Sequence, residues 1–211
     1  MQPSLPQLLP LIVATSFAAG INVYATVLTL GLLSRAGVVS LPPALGLLGS
    51  WWTIATSGAL FFIEVFADKV PYIDLFWNFL HTFVRIPAAA LIAYQAGAQL
   101  PPPWQMAASA LGAAVALAAH LGKTALRIGV NATPEPLTNF AVSAAEDSAA
   151  IGLTWLATVH PYAAASITVL CLLGLALAFR LIVKGLREAV GRFKRNLKYS
   201  RPRQFDAGPG E

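Results

Sequence analysis

An all-α, polytopic transmembrane helix bundle is the fold class this sequence predicts, with about six spans and a C-terminal amphipathic basic helix. Three observations carry that reading. Of 211 residues, 57% are hydrophobic and only 11% charged, against about 25% charged in a soluble domain. The mean hydropathy is +0.67. Several apolar runs also reach the ~20 residues that a helix needs to cross a bilayer.

The first segment is expected over 8–34, where "SFAAGINVYAT" places Gly20 and Asn22 mid-helix. A glycine and an amide there allow either a break or a close helix contact. The segment lacks a positive start and exceeds the roughly 7–15 residues of a signal-peptide core, so it is read as a helix of the mature protein. The second is expected over 45–67, with Trp51 and Trp52 suited to an interface. The third, over 72–98, is the least apolar. The "PPP" at 101–103 cannot continue a helix. Alanine-rich 104–128 follows, then 137–158 and 162–183. A five-span alternative folds 72–98 into a re-entrant hairpin around Pro87. The bundle is thus expected over 1–185, a basic helix over 186–199 and a disordered tail over 200–211.

Charge sets the expected orientation. Nine of the fourteen Lys/Arg fall between Arg180 and Arg203. Next to a membrane span, such a cluster fits the positive-inside rule and anionic lipid better than nucleic acid. The C-terminus is therefore expected in the cytoplasm. Six spans place the N-terminus there too, and Arg35 dissents. Leu186, Val190, Phe193 and Leu197 recur at spacings of four, three and four between the basic residues, as in a helix lying on a membrane surface. Cys171 is the only cysteine, which excludes an intrachain disulfide or a cysteine metal cluster.

The chemistry is concentrated in a few positions. Asn22, His81, Arg85, Glu146 and Asp147 fall near the middles of three expected spans. A lone charge at the bilayer centre costs about 2.5–3.5 kcal/mol on insertion scales. These groups are therefore expected to face inward and pair, with Arg85 beside Glu146 or Asp147. They are the candidate substrate-binding residues. Glu64, Asp68, Lys69, Asp74, Lys123 and Arg127 form a second expected cluster, at the cytoplasmic ends of the spans. Within it Glu64 and Asp68, like Lys123 and Arg127, are four residues apart and share a helix face.

"AAGINVYAT", "FFIEVFADKVPYIDLFWNFLHTFVRIPAAAL" and "GVNATPEPLTNFAVSAAED" resemble an uncharacterised bacterial membrane family, the domain-of-unknown-function family numbered four-one-two-six. The resemblance runs to about residue 185. It implies a multi-span inner-membrane protein and supplies no established substrate.

The expected function is a small transporter or permeation protein for an anionic solute or lipid head group, with a proton carried by Glu146 or Asp147. Arginine suits carboxylate and phosphate. The alternative is a structural or assembly protein braced by buried ion pairs. An intramembrane enzyme ranks below both: no H-E-x-x-H, G-x-S-x-G or P-loop motif is present, and His120 and His160 stand apart. Neither metal nor cofactor is expected. The expected partners are the bilayer, anionic lipid at the basic helix and an anionic small molecule, with no nucleic acid. A homo-oligomer is compatible with so small a bundle.

Overall fold

The computed structural model describes residues 4–67, 71–131 and 135–199. Asp68, Lys69 and the expected disordered tail at 200–211 lie outside the described residues, as does the side chain of Asp74. The described chain is helical: α1 (Leu5–Ile21), α2 (Val23–Arg35), a 3₁₀ helix (Pro43–Gly49), α3 (Trp51–Ala67), α4 (Pro71–Ala96), α5 (Pro102–Asn131), α6 (Pro136–Val159) and α7 (Pro161–Tyr199). Helices α4 to α7 all begin on proline. The ring presets φ for the first turn, and its missing N–H would have had no partner there anyway.

The chain divides into two compact units, Met1–Leu172 and Leu173–Glu211. In the second unit an exposed Arg192–Glu188 pair lies at 3.8 Å along the helix. The expected amphipathic helix at 186–199 is the end of α7, which runs unbroken to Tyr199.

In the first unit α1 is the central helix. It packs on α2, α4, α5 and α6, and its residues from Leu8 to Gly20 are almost all buried. A helix hydrophobic all round belongs in such a position. Small residues let its neighbours come close. A Cβ on Gly20 would collide with the backbone of Ala116, and one on Gly112 would lie 2.5 Å from Ala93 Cβ and 2.9 Å from Ser16 Oγ. Helices α4 and α5 pair antiparallel: Gln105 Nε2 donates to Tyr94 O (3.1 Å) and Ser109 Oγ to Ala90 O (3.0 Å).

The first expected span does not run straight through. Asn22 adopts an extended backbone conformation that ends α1 and starts α2. Contacts along α6 give the directions of the two arms. Asn22 meets Asp147, and Thr26 meets Thr154 seven residues further on. On the other arm, Leu11 and Ala14 pack with Ala157. Both arms therefore run from Asn22 toward the C-terminal end of α6. Segment 5–35 is a helical hairpin with its turn at Asn22, opposite the middle of α6. The re-entrant alternative for 72–98 does not hold, because α4 continues as one helix through Pro87.

Fewer helices qualify as spans than the six expected. Among the described residues, Pro102–Val130 and Pro161–Arg192 are long and apolar enough to cross a membrane. The 3₁₀ helix and α3, bent by 60°, make a third if taken as one span. Helices α4 and α6 have sufficient length, 26 and 24 residues, but Arg85 and the Glu146–Asp147 pair make them more polar. The first unit is inside out relative to a water-soluble protein. Phe62, Phe76, Phe79, Phe83 and Leu121 are exposed, while Glu64, Arg85 and Arg127 are fully buried. An apolar exterior of this extent belongs against lipid.

Candidate functional site

The hairpin turn exposes backbone groups that a continuous helix would satisfy. At the end of α1, Ile21 O accepts a hydrogen bond from Lys123 Nζ (3.3 Å). At the start of α2, Asn22 Oδ1 accepts from the Ala25 N–H (2.9 Å), which is an ordinary asparagine N-cap. The other half of the amide is also used: Nδ2 donates to Asp147 Oδ1 at 2.9 Å. One fully buried side chain thus ends one helix, caps the next and ties the turn to α6. The Asp147 charge also sits favourably near the positive end of the α2 dipole.

Around this turn the ionisable residues form one chain. Arg85 pairs with Glu64, and Lys123 lies 3.4 Å from Glu64 and 3.4 Å from Glu146. Arg127 holds Glu146 through Nη2 at 2.7 Å and Nε at 3.1 Å. The signs alternate along Arg85, Glu64, Lys123, Glu146 and Arg127. With Asp147, three cations balance three anions among the described residues. Such balance suits charges taken out of water, since each needs a partner to offset desolvation.

Among the described residues, members of the two expected clusters therefore join in one network. Glu64, expected at a cytoplasmic end, is the carboxylate paired with Arg85. Glu146, expected beside Arg85, is held by Arg127 and Lys123. Glu64 lies in the last turn of α3 and Arg85 in the middle of α4, so the end of α3 meets the middle of α4. The four-residue spacing of Lys123 and Arg127 puts both on one face of α5, as expected. His81 is close by but bonds elsewhere: its Nδ1 donates to Trp77 O (2.8 Å), and Nε2 of the neutral ring accepts from the Tyr24 hydroxyl (2.9 Å).

His120 and Thr82 were not expected here. Arg85 Nη1 donates to His120 Nδ1 at 3.2 Å. A guanidinium can only donate, so the neutral ring carries its proton on Nε2 and gives it to Thr82 Oγ1 at 2.7 Å. A spacing signal existed: His120, Lys123 and Arg127 fall at i, i+3 and i+7, one stripe of α5. Glu64 Oε2 is buried and has no hydrogen-bond partner. Among the described residues no group of His, Cys, Asp and Glu is arranged to hold a metal ion.

The model of the family described as Domain of unknown function (DUF4126) matches residues 9–183. The chain belongs to this family. No curated protein and no solved structure matches it. The DUF4126 match takes in the hairpin from residue 9 onward, including its turn at Asn22, and every described member of the buried network, and it stops within α7 before most of the basic residues.

Proposed function

We propose that this protein is a small bacterial inner-membrane transporter or permeation protein that moves an anionic solute or lipid head group coupled to a proton. The observation that carries the reading is the buried hairpin turn at Asn22, set beside a chain of buried ionisable side chains whose signs alternate from Arg85 to Arg127 among the described residues. Interrupted backbone at membrane depth is tolerated where it is enclosed by protein or lines a cavity. Broken helices aimed at charged groups are a recurring way to build transport sites.

Arg85 is the anion-binding residue in this mechanism and Glu64 the proton carrier, in place of Glu146 or Asp147. While Glu64 is ionised it occupies Arg85. A proton entering at the unpartnered Oε2 removes that carboxylate charge and lets the guanidinium turn toward an anionic group of the solute. Loss of the proton restores the pair and expels the anion. Lys123 swings its share of charge toward Glu146 during the cycle. The basic end of α7 binds anionic lipid on the cytoplasmic face, and the protein works without cofactor or catalysis.

Proteoliposomes enclosing a pH-sensitive dye test this. Inward gradients of inorganic phosphate, chloride or succinate are applied one at a time. Protein-dependent acidification with at least one probe is expected, and its loss in Glu64→Gln and Arg85→Gln. Acidification that survives both substitutions removes the mechanism. A second reading, a structural membrane protein braced by ion pairs, is favoured by the charge balance of the network. It is distinguished by the absence of flux for every probe together with full dependence of folding on the pairs.

A further inference from the structure

Away from the charges, where the two arms of the hairpin open, lies a cleft of about 550 Å³. Ser4 and Gln7 at the start of α1, Ser40 and Pro42 after α2, and Ala157 and Thr158 on α6 contribute to its wall. Its polar groups are hydroxyls and an amide, with no charged side chain in the lining.

From this cleft one face of α6 leads inward between the hairpin arms. Ala157, Thr154, Ala150 and Asp147 are all buried and spaced by three, four and three residues. That spacing keeps them on one side of the helix. From Thr154 to Asp147 is about 10 Å along the axis. Only small or polar side chains occupy this face. Across it stands a hydroxyl pair, Thr154 Oγ1 and Thr26 Oγ1 at 3.4 Å, and both residues are fully buried. Thr154 Oγ1 also reaches Ala150 O at 2.6 Å, and Thr26 Oγ1 reaches Asn22 O at 2.9 Å. Each hydroxyl thus keeps a bond on its own helix when the two part. Each hydroxyl has a single proton, already given to its own helix, so separating the two oxygens breaks only a long shared contact and leaves no orphaned polar group.

We infer that the cleft is the vestibule of the transport route and that Thr26 and Thr154 form the gate between it and the charges at the hairpin turn. The inference rests on the transport reading for its purpose but not for its test. The gate passes water and small anions when α2 moves away from α6. An uncharged vestibule imposes no attraction of its own, which leaves selection to Arg85 beyond the gate.

Thiol accessibility tests it without knowledge of the solute. In a Cys171→Ala background, Thr158→Cys, Thr154→Cys, Thr26→Cys, Ala150→Cys and Ile151→Cys are each exposed to a membrane-impermeant methanethiosulfonate reagent. Ile151 is on α6 but outward-facing, and a thiol in lipid stays protonated and inert. The reactive form is the thiolate, which requires water. Thr158→Cys should react fastest. Thr154→Cys and Thr26→Cys should react about tenfold more slowly, and still at least about tenfold faster than Ile151→Cys. Ala150→Cys, past the gate, should react more slowly than the two threonine positions. The two gate variants lie on different helices, so misfolding of one leaves the other informative. Reaction at Thr158→Cys with none at Thr154→Cys or Thr26→Cys makes the cleft a dead end and overturns the gate. Equal reaction at Ile151→Cys overturns the route. Ordered labelling without flux of any probe supports the gate and counts against transport, whereas flux without labelling overturns the gate alone.

Discussion

Replacing Glu64 with glutamine removes the one charge that links Arg85 to Lys123 and almost no volume. Two cations lose a partner, Arg85 in direct contact and Lys123 at 3.4 Å. At 3.4 Å and an effective dielectric of about 20, one such attraction is worth about 5 kcal/mol. Much of that is offset, since the substitution also removes the cost of burying the carboxylate. Deleting one member of a buried pair typically destabilises by about 3–5 kcal/mol, because the remaining charge stays buried and uncompensated. The lower end is expected here, because Lys123 retains Glu146 at 3.4 Å. Reversible denaturant titration in mixed micelles gives the stability of wild type, Glu64→Gln, Arg85→Gln and the double variant. The double variant should be more stable than the sum of the singles by about 1–3 kcal/mol. Glu188→Gln, which breaks only the exposed pair with Arg192, should change stability by less than about 1 kcal/mol. Additive single effects, or a Glu64→Gln cost no larger than that of Glu188→Gln, would refute the argument that this contact organises the network.

Asn22→Ala should cost about 1 kcal/mol for the lost helix cap and a further ~1–3 kcal/mol for leaving Asp147 without its amide donor. Asn22→Asp should cost more, because a second carboxylate then faces Asp147; a smaller loss than for alanine, in the same titration, would contradict the placement. Gly112→Val should destabilise by at least about 1–3 kcal/mol through overpacking, since even its Cβ meets Ala93 and Ser16. Gly152→Ala, with open space around the new Cβ, should be neutral or stabilising by up to about 1 kcal/mol. Single cysteines at Ser4 and Ser40 in oriented vesicles should be labelled from the same side. Labelling from opposite sides would restore a straight first span and remove the hairpin.

The sequence made the membrane class legible through runs of apolar residues, and the break at Gly20–Asn22 through two residue types that weaken a helix interior. It also made the inward gathering of Asn22, Arg85, Glu146 and Asp147 legible, because isolated charges cannot face lipid cheaply. It could not say which cation meets which anion. Helix periodicity gives the face a residue occupies, but pairing depends on the relative heights of two helices. A tight hairpin between α3 and α4 would set Glu64 opposite about residue 74, whereas the packing of the helices sets it against Arg85. His120 was overlooked for a related reason. Surrounded by alanines, it gives no local sign of the polar residues that α4 brings to it.

Hydropathy counts apolar residues along a segment and is blind to its direction, so a 31-residue run from Leu5 to Arg35 reads as one long crossing whether it goes straight or doubles back. Composition and periodicity by themselves determined that this chain is helical, apolar outside and charged within. The tertiary structure decided that the first segment returns at Asn22, that Arg85, Glu64, Lys123, Glu146 and Arg127, expected in two clusters, form one alternating chain of charges, and that Glu64 joins Arg85 to Lys123 in it. The physical reason is that burying charge is a matter between elements: each ion needs a partner of opposite sign at its own depth, and depth is set by how helices of different length pack together.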